Sequence, residues 1–124
     1  MTTVRRAELV FSIFIGLSLV AAPAGLASRK ATASEKKAIV KALPKPAYPR
    51  SYYVYKVRIS TVSKRWAAVR ILPASGYESF IQPDIASVVQ KKKHWKTNQV
   101  GNGGGCGVPA AVAADLKLSC NPTP

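Results

Sequence analysis

Between residues 52 and 72 the chain alternates twice in succession, and this repeated period of two restricts its fold more than any other feature. Tyr53, Tyr55, Val57 and Ile59 alternate with Tyr52, Val54, Lys56, Arg58 and Ser60. After a turn at Ser63 and Lys64, Ala67, Val69 and Ile71 alternate with Trp66, Ala68 and Arg70. Tyrosine and β-branched side chains at every second position suit a pleated strand buried on one face. Two such runs this close together predict an antiparallel hairpin, residues 52–62 with 65–72. Val57, Val69 and their in-phase neighbours should face a core, which sends Tyr52, Lys56, Arg58, Trp66 and Arg70 to the opposite side.

The flanking segments complete an α+β pattern. Ser34 offers an N-cap hydroxyl with Glu35 behind it, and Ala38, Ile39, Ala42 and Leu43 lay one apolar stripe along a helix over residues 34–43. Lys36, Lys37 and Lys41 take its solvent side, and Pro44 and Pro46 end it. Residues 73–83 hold Gly76 and two prolines and read as a loop, with Tyr77, Phe80 and Ile81 available to pack back. A third strand is expected over 85–90, a hairpin tip at Lys91, Lys92 and Lys93, and a fourth strand over 94–100. A helix over 85–93 is the alternative, because lysines propagate helices well; the β-branched content favours the strand. Five glycines between 101 and 107 mark a loop with little intrinsic order, and Pro109 opens a short alanine-rich helix ending at Leu116.

The N-terminus sets the expected compartment. Arg5 and Arg6 precede an almost wholly apolar stretch from Leu9 to Ala22, followed by Pro23 and the small residues around Ala27. This is the layout of a secretory signal peptide, residues 1–27, with Ala31-Thr32-Ala33 as a second cleavage candidate. The apolar stretch is shorter than the roughly 20 residues of a membrane anchor. Val4 and Glu8 fit a twin-arginine signal poorly, so general secretion to the cell envelope or exterior of a bacterium is expected. Cleavage after Ala27 leaves a basic tail at 28–33 and one small domain over 34–124. Removing Arg5, Arg6 and Glu8 from 19 basic and 5 acidic residues leaves 17 and 4, a net charge of +13. Such an excess favours anionic partners, a cell-surface polymer or a membrane surface; nucleic acid suits the same chemistry but is not the expected physiological partner.

In an exported chain the only two cysteines, Cys106 and Cys120, are expected to form a structural disulfide across the short helix. A redox pair would more often be spaced Cys-x-x-Cys, and one histidine with no further thiol makes a poor metal site. No cofactor is expected. No triad is nominated for His94, and Glu78 and Asp84 read as solvated loop acids, with Glu35 and Asp115 explained by a helix end and the surface. No catalytic residue is therefore assigned. The candidate ligand surface is basic and aromatic: Tyr52, Lys56, Arg58, Trp66 and Arg70 on one sheet face, with Lys91, Lys92, Lys93 and Lys96 at one end.

Trp95, Val100-Gly101, Cys106, Pro109, Val112, Asp115-Leu116 and Leu118-x-Cys120 form a pattern that resembles small secreted proteins of unknown function common in actinobacteria. The resemblance covers the signal peptide and about the last 30 residues best. It implies a helix on a curved sheet, similar to cystatin-like or nuclear-transport-factor-like folds, and implies no activity; the lysine density departs from it. The expectation is thus an N-terminal helix on a four-stranded antiparallel meander, with a disulfide-clasped C-terminal helix. The expected role is non-enzymatic binding of an anionic surface or polymer. The alternative is a secreted inhibitor or protein-partner module using residues 76–83 or the glycine loop.

Overall fold

A computed structural model of the chain describes residues 27–121; the signal peptide expected over residues 1–27 lies outside them except for Ala27. The described chain is α+β. Its strands are β1 (Arg29–Lys30), β2 (Tyr53–Ile59), β3 (Trp66–Pro73), β4 (Asp84–Lys91) and β5 (His94–Val100), and its helices are α1 (Ala33–Lys41) and α2 (Ala110–Leu116). All strand pairs are antiparallel and lie side by side in chain order.

The alternating runs pair as their periodicity predicts. Val57 stands opposite Val69, Tyr55 opposite Ile71 and Ile59 opposite Ala67. On this face Ile39 and Leu43 of the α1 segment close over Val57, Ile59, Ala67, Val69, Ala86 and Val88, with Trp95 and Ile71 at the margin. β2 stops at Ile59 rather than Val62. Ser60 N–H still donates to Trp66 C=O (2.9 Å), but its Oγ accepts from the backbone N–H of Val62 (3.0 Å) and Ser63 (3.1 Å), turning the chain early.

The sheet has five strands, not four. The segment expected as a basic tail pairs with β2 through Arg29 and Ile59, and through Lys30 and Arg58. The α1 cap explains why this segment is held. Thr32, not Ser34, is the N-cap: Glu35 N–H donates to Thr32 Oγ1 (3.2 Å) and Thr32 N–H donates to Glu35 Oε1 (2.9 Å). This reciprocal box needs an acid or amide three residues after the cap, which Thr32 has in Glu35 and Ser34 lacks in Lys37. Arg29 then clamps Glu35 with two further bonds, at 2.9 and 2.8 Å.

Residues 85–90 are strand, as the β-branched content favours. Ala86, Ser87, Val88 and Val89 are all buried, because β4 lies between β3 and β5 with a helix over each face. A strand covered on both sides loses its polar alternation, and the three lysines that could have continued a helix instead form the end of β4 and the turn to β5.

Candidate anionic-ligand surface

The second sheet face is shaped by the C-terminal clasp. α2 begins after Pro109, which caps it from an extended conformation instead of standing as its first residue. It ends at Lys117 in the left-handed region (φ 58°), where Leu118 N–H reaches back to Ala113 C=O at 2.8 Å. The chain then runs back along the glycine loop. Gly105 N–H donates to Ser119 C=O (2.8 Å), Ser119 N–H to Gly103 C=O (3.2 Å) and Asn121 N–H to Asn102 C=O (2.8 Å). Cys106 and Cys120 are bonded with Cα atoms 4.5 Å apart. Chain reversal at Lys117 is what brings thiols on either side of a helix about 12 Å long to that separation.

The glycine loop has little order of its own, yet it is fastened to the sheet. The β4–β5 register shifts between Ser87 and Val88, leaving Asn98 as an extra residue. Asn98 Nδ2 donates to Cys106 C=O (2.8 Å) and Ser87 Oγ (2.9 Å), while Cys106 N–H donates to Gln99 Oε1 (2.8 Å). The opposite end of α2 is tied by Asp115. Its Oδ2 accepts from Ser60 Oγ and from Thr61 N–H, both at 2.8 Å, so it is a tertiary anchor and not a solvated surface acid. Asp115 Oδ1 is buried and has no hydrogen-bond partner among the described residues.

Held in this way, α2 lies across the face assigned to ligand. Val112, Leu116 and Leu118 bury Ala68 and pack on Trp66 and Ile85. Trp66 is therefore a half-buried packing residue beneath the helix. The surface expected to be continuous falls into two parts. On the β2 side, Lys56 stands directly across from Arg70, and Lys30 across from Arg58. Tyr52 precedes β2 in a short 3-10 turn (Arg50–Tyr52) and is stacked on Tyr77 at 3.9 Å and on Tyr48 at 5.8 Å. Arg58 is partly committed, since its guanidinium donates to Ser28 Oγ (2.9 Å) and to Ser28 C=O. On the β5 side, Lys96 pairs in register with Val89, and Lys91, Lys92 and Lys93 form the hairpin tip. Strand pairing sets Lys56 and Arg58 of β2 beside Arg70 and Lys30, and the strand that carries Lys30 was not recognised in the sequence. Nothing local in the sequence signals that α2 separates the two parts.

Charge on this surface goes largely unpaired. The described residues hold a single ion pair, Arg29–Glu35. Arg29 first, then the Thr32 amide, holds the Glu35 carboxyl down to about 2. A depressed acid contributes stability that is complete above its ordinary value and lost as pH falls toward the folded one. Denaturation midpoints should therefore fall between about pH 5 and 2, and Glu35→Gln should flatten part of that slope. The pair is solvent-screened, so the change should stay below about 1 kcal/mol. A urea titration across that range reads it directly.

The remaining acids do not converge with the histidine. Glu78 Oε1 accepts from Gly76 N–H (3.0 Å), and Asp84 Oδ1 accepts from Ile85 N–H (2.8 Å). His94 pairs with Lys91, at the far end of β4 from Asp84. Among the described residues no three of His, Cys, Asp and Glu cluster as a metal site would require, and no helix is long and apolar enough to cross a membrane. Comparison with protein-family models, curated proteins and solved structures finds no significant match to this chain.

Proposed function

We propose that this is an exported, non-enzymatic bacterial protein that binds an anionic cell-surface polymer or membrane surface. The observation that carries the reading is the β4–β5 tip, where Lys92 (φ 51°) and Lys93 (φ 68°) both occupy the left-handed region. A two-residue turn of this kind favours Asn-Gly, and a lysine held there costs on the order of 1 kcal/mol. Two adjacent lysines held at such a cost, between Lys91 and Lys96, support use of the charge. The like-charged pairs Lys56–Arg70 and Lys30–Arg58 support it too, since like charges directly across a ladder repel.

Lys92→Asn with Lys93→Gly should raise stability by roughly 1 to 2 kcal/mol while weakening binding to polyphosphate or anionic vesicles several-fold. Binding itself should fall steeply as salt rises. Absent or salt-insensitive binding removes the reading, and higher stability with unchanged binding removes the tip from it.

The described fold also bears on export. Ser28 is bonded by Arg58, Arg29 and Lys30 form β1, and Thr32 caps α1. Cleavage after Ala27 preserves all of these and cleavage after Ala33 would remove them, which supports the earlier site. N-terminal sequencing of the secreted form tests it. The helix against an antiparallel meander supports a cystatin-like arrangement. Phe80, 57% exposed beside the Tyr48–Tyr52–Tyr77 stack, favours the second reading, a protein-partner module using residues 76–83. One stoichiometric protein retained at high salt would favour it over the first.

A further inference from the structure

β1 guards only the end of β2. Its two residues cover Ile59 and Arg58, Ala31 N–H adds one bond to Val57 C=O at 3.2 Å, and the chain then departs into α1. In an antiparallel ladder a residue's N–H and C=O point to the same side. Val57 therefore marks the odd-numbered residues as outward-facing, and the Tyr55 N–H and C=O have no strand beside them among the described residues. An uncovered edge of this kind is a template for another strand.

The edge opens into a groove of about 570 Å3 between α1 and β2, with Val40, Ala33 and Tyr55 as its floor. Lys36, Lys37, Lys41 and Arg50 ring it, all exposed. Burial pushes the Tyr55 hydroxyl up from its ordinary value, against the pull of the adjacent Arg50. No acid lines this groove among the described residues, and Glu35 of α1 is engaged by Arg29 and Thr32. An apolar floor, a cationic rim and an unpaired strand edge together describe one kind of occupant. A second copy of the chain would bring the same cations to the edge and be repelled.

We infer that the β2 edge accepts an extended acidic segment of a partner protein as an added strand, taking over β2 where β1 leaves it. Alternate side chains of that segment would lie on Val40 and Tyr55, and its carboxylates would meet the rim. The groove lies on the α1 side of the sheet and away from the Lys92–Lys93 tip, so it stands or falls independently of polyanion binding at that tip; Lys56 shares the edge strand but alternates to the other face.

The test uses protein expressed from its full reading frame, in the form that accumulates, and an alternating glutamate-valine hexapeptide with blocked ends. The peptide should slow exchange of the Tyr55 amide. N-methylating one alternate set of its residues should weaken binding about tenfold, the loss expected of two or three edge hydrogen bonds, while methylating the other set leaves it intact. A lysine-valine peptide should not bind. Equal effects of the two methylation sets overturn the inference, as does peptide binding without amide protection. It also fails if the same amide is protected by anionic vesicles, or by concentration-dependent self-association without peptide.

Discussion

Reducing the Cys106–Cys120 bond, or replacing both cysteines with serine, should lower stability by about 3 kcal/mol, the chain-entropy value for a loop of about 15 residues. For a domain under 100 residues that corresponds to a melting temperature roughly 12 to 24 °C lower. The loss should not be spread evenly. The bond holds the returning chain on the glycine loop, and that contact keeps Leu118 over Ala68 and Ile85. Trp66 packs in this cluster, whereas Trp95 packs against the α1 core on the other face. Reduction should therefore shift Trp66 emission to the red before Trp95 responds, a sequence readable with Trp95→Phe and Trp66→Phe variants. Both tryptophans responding together at full native stability would contradict this account of the clasp.

The second large effect is expected at Gly103. Its φ is +83°, a region that side chains rarely adopt, and an added Cβ would run into the backbone carbonyl of Ser119, whose carbon lies 2.9 Å away. Ser119 has little room to retreat, because it is bonded on either side to Gly103 and Gly105. Gly103→Ala should therefore cost about 3 kcal/mol, combining left-handed strain with overpacking. Gly76→Ala is the control: its φ is +93° but nothing lies within 4 Å of the added carbon. The difference in denaturation midpoint between the two variants isolates the steric part. Near-equal losses would mean that the C-terminal segment yields.

Local rules read much of this fold from the residues alone. The β2–β3 hairpin and its core face follow from strict alternation, and the disulfide follows from an even cysteine count in a chain expected to be exported. What local rules missed depends on partners distant in the chain. Two residues, Arg29 and Lys30, carry no strand signal; they pair because a capping box and the Arg29–Glu35 clamp deliver them to β2. Thr32 and Ser34 are both acceptable caps, and only the identity of the residue three further on separates them. Asp115 reads as a surface acid until α2 is placed against Ser60 and Thr61. The candidate surface was legible in part, as Lys56, Arg58, Trp66 and Arg70 in one strand phase. Its division was not, because periodicity assigns a face without saying what lies on it.

The strand order has a consequence for how the chain acquires its structure. From β2 to β5 every strand lies beside its neighbours in sequence, so each of these hairpins closes on contacts already near at hand, a low-contact-order route that favours rapid folding; β1 alone pairs across the intervening α1. A chain delivered N-terminal end first can lay down β2 to β5 in order of arrival, with only the two residues of β1 waiting for their partner. Only the final segment must return across finished structure, and its covalent bond spans just 14 positions. The oxidation step thus comes last and is local, acting as a latch on a sheet that has already assembled.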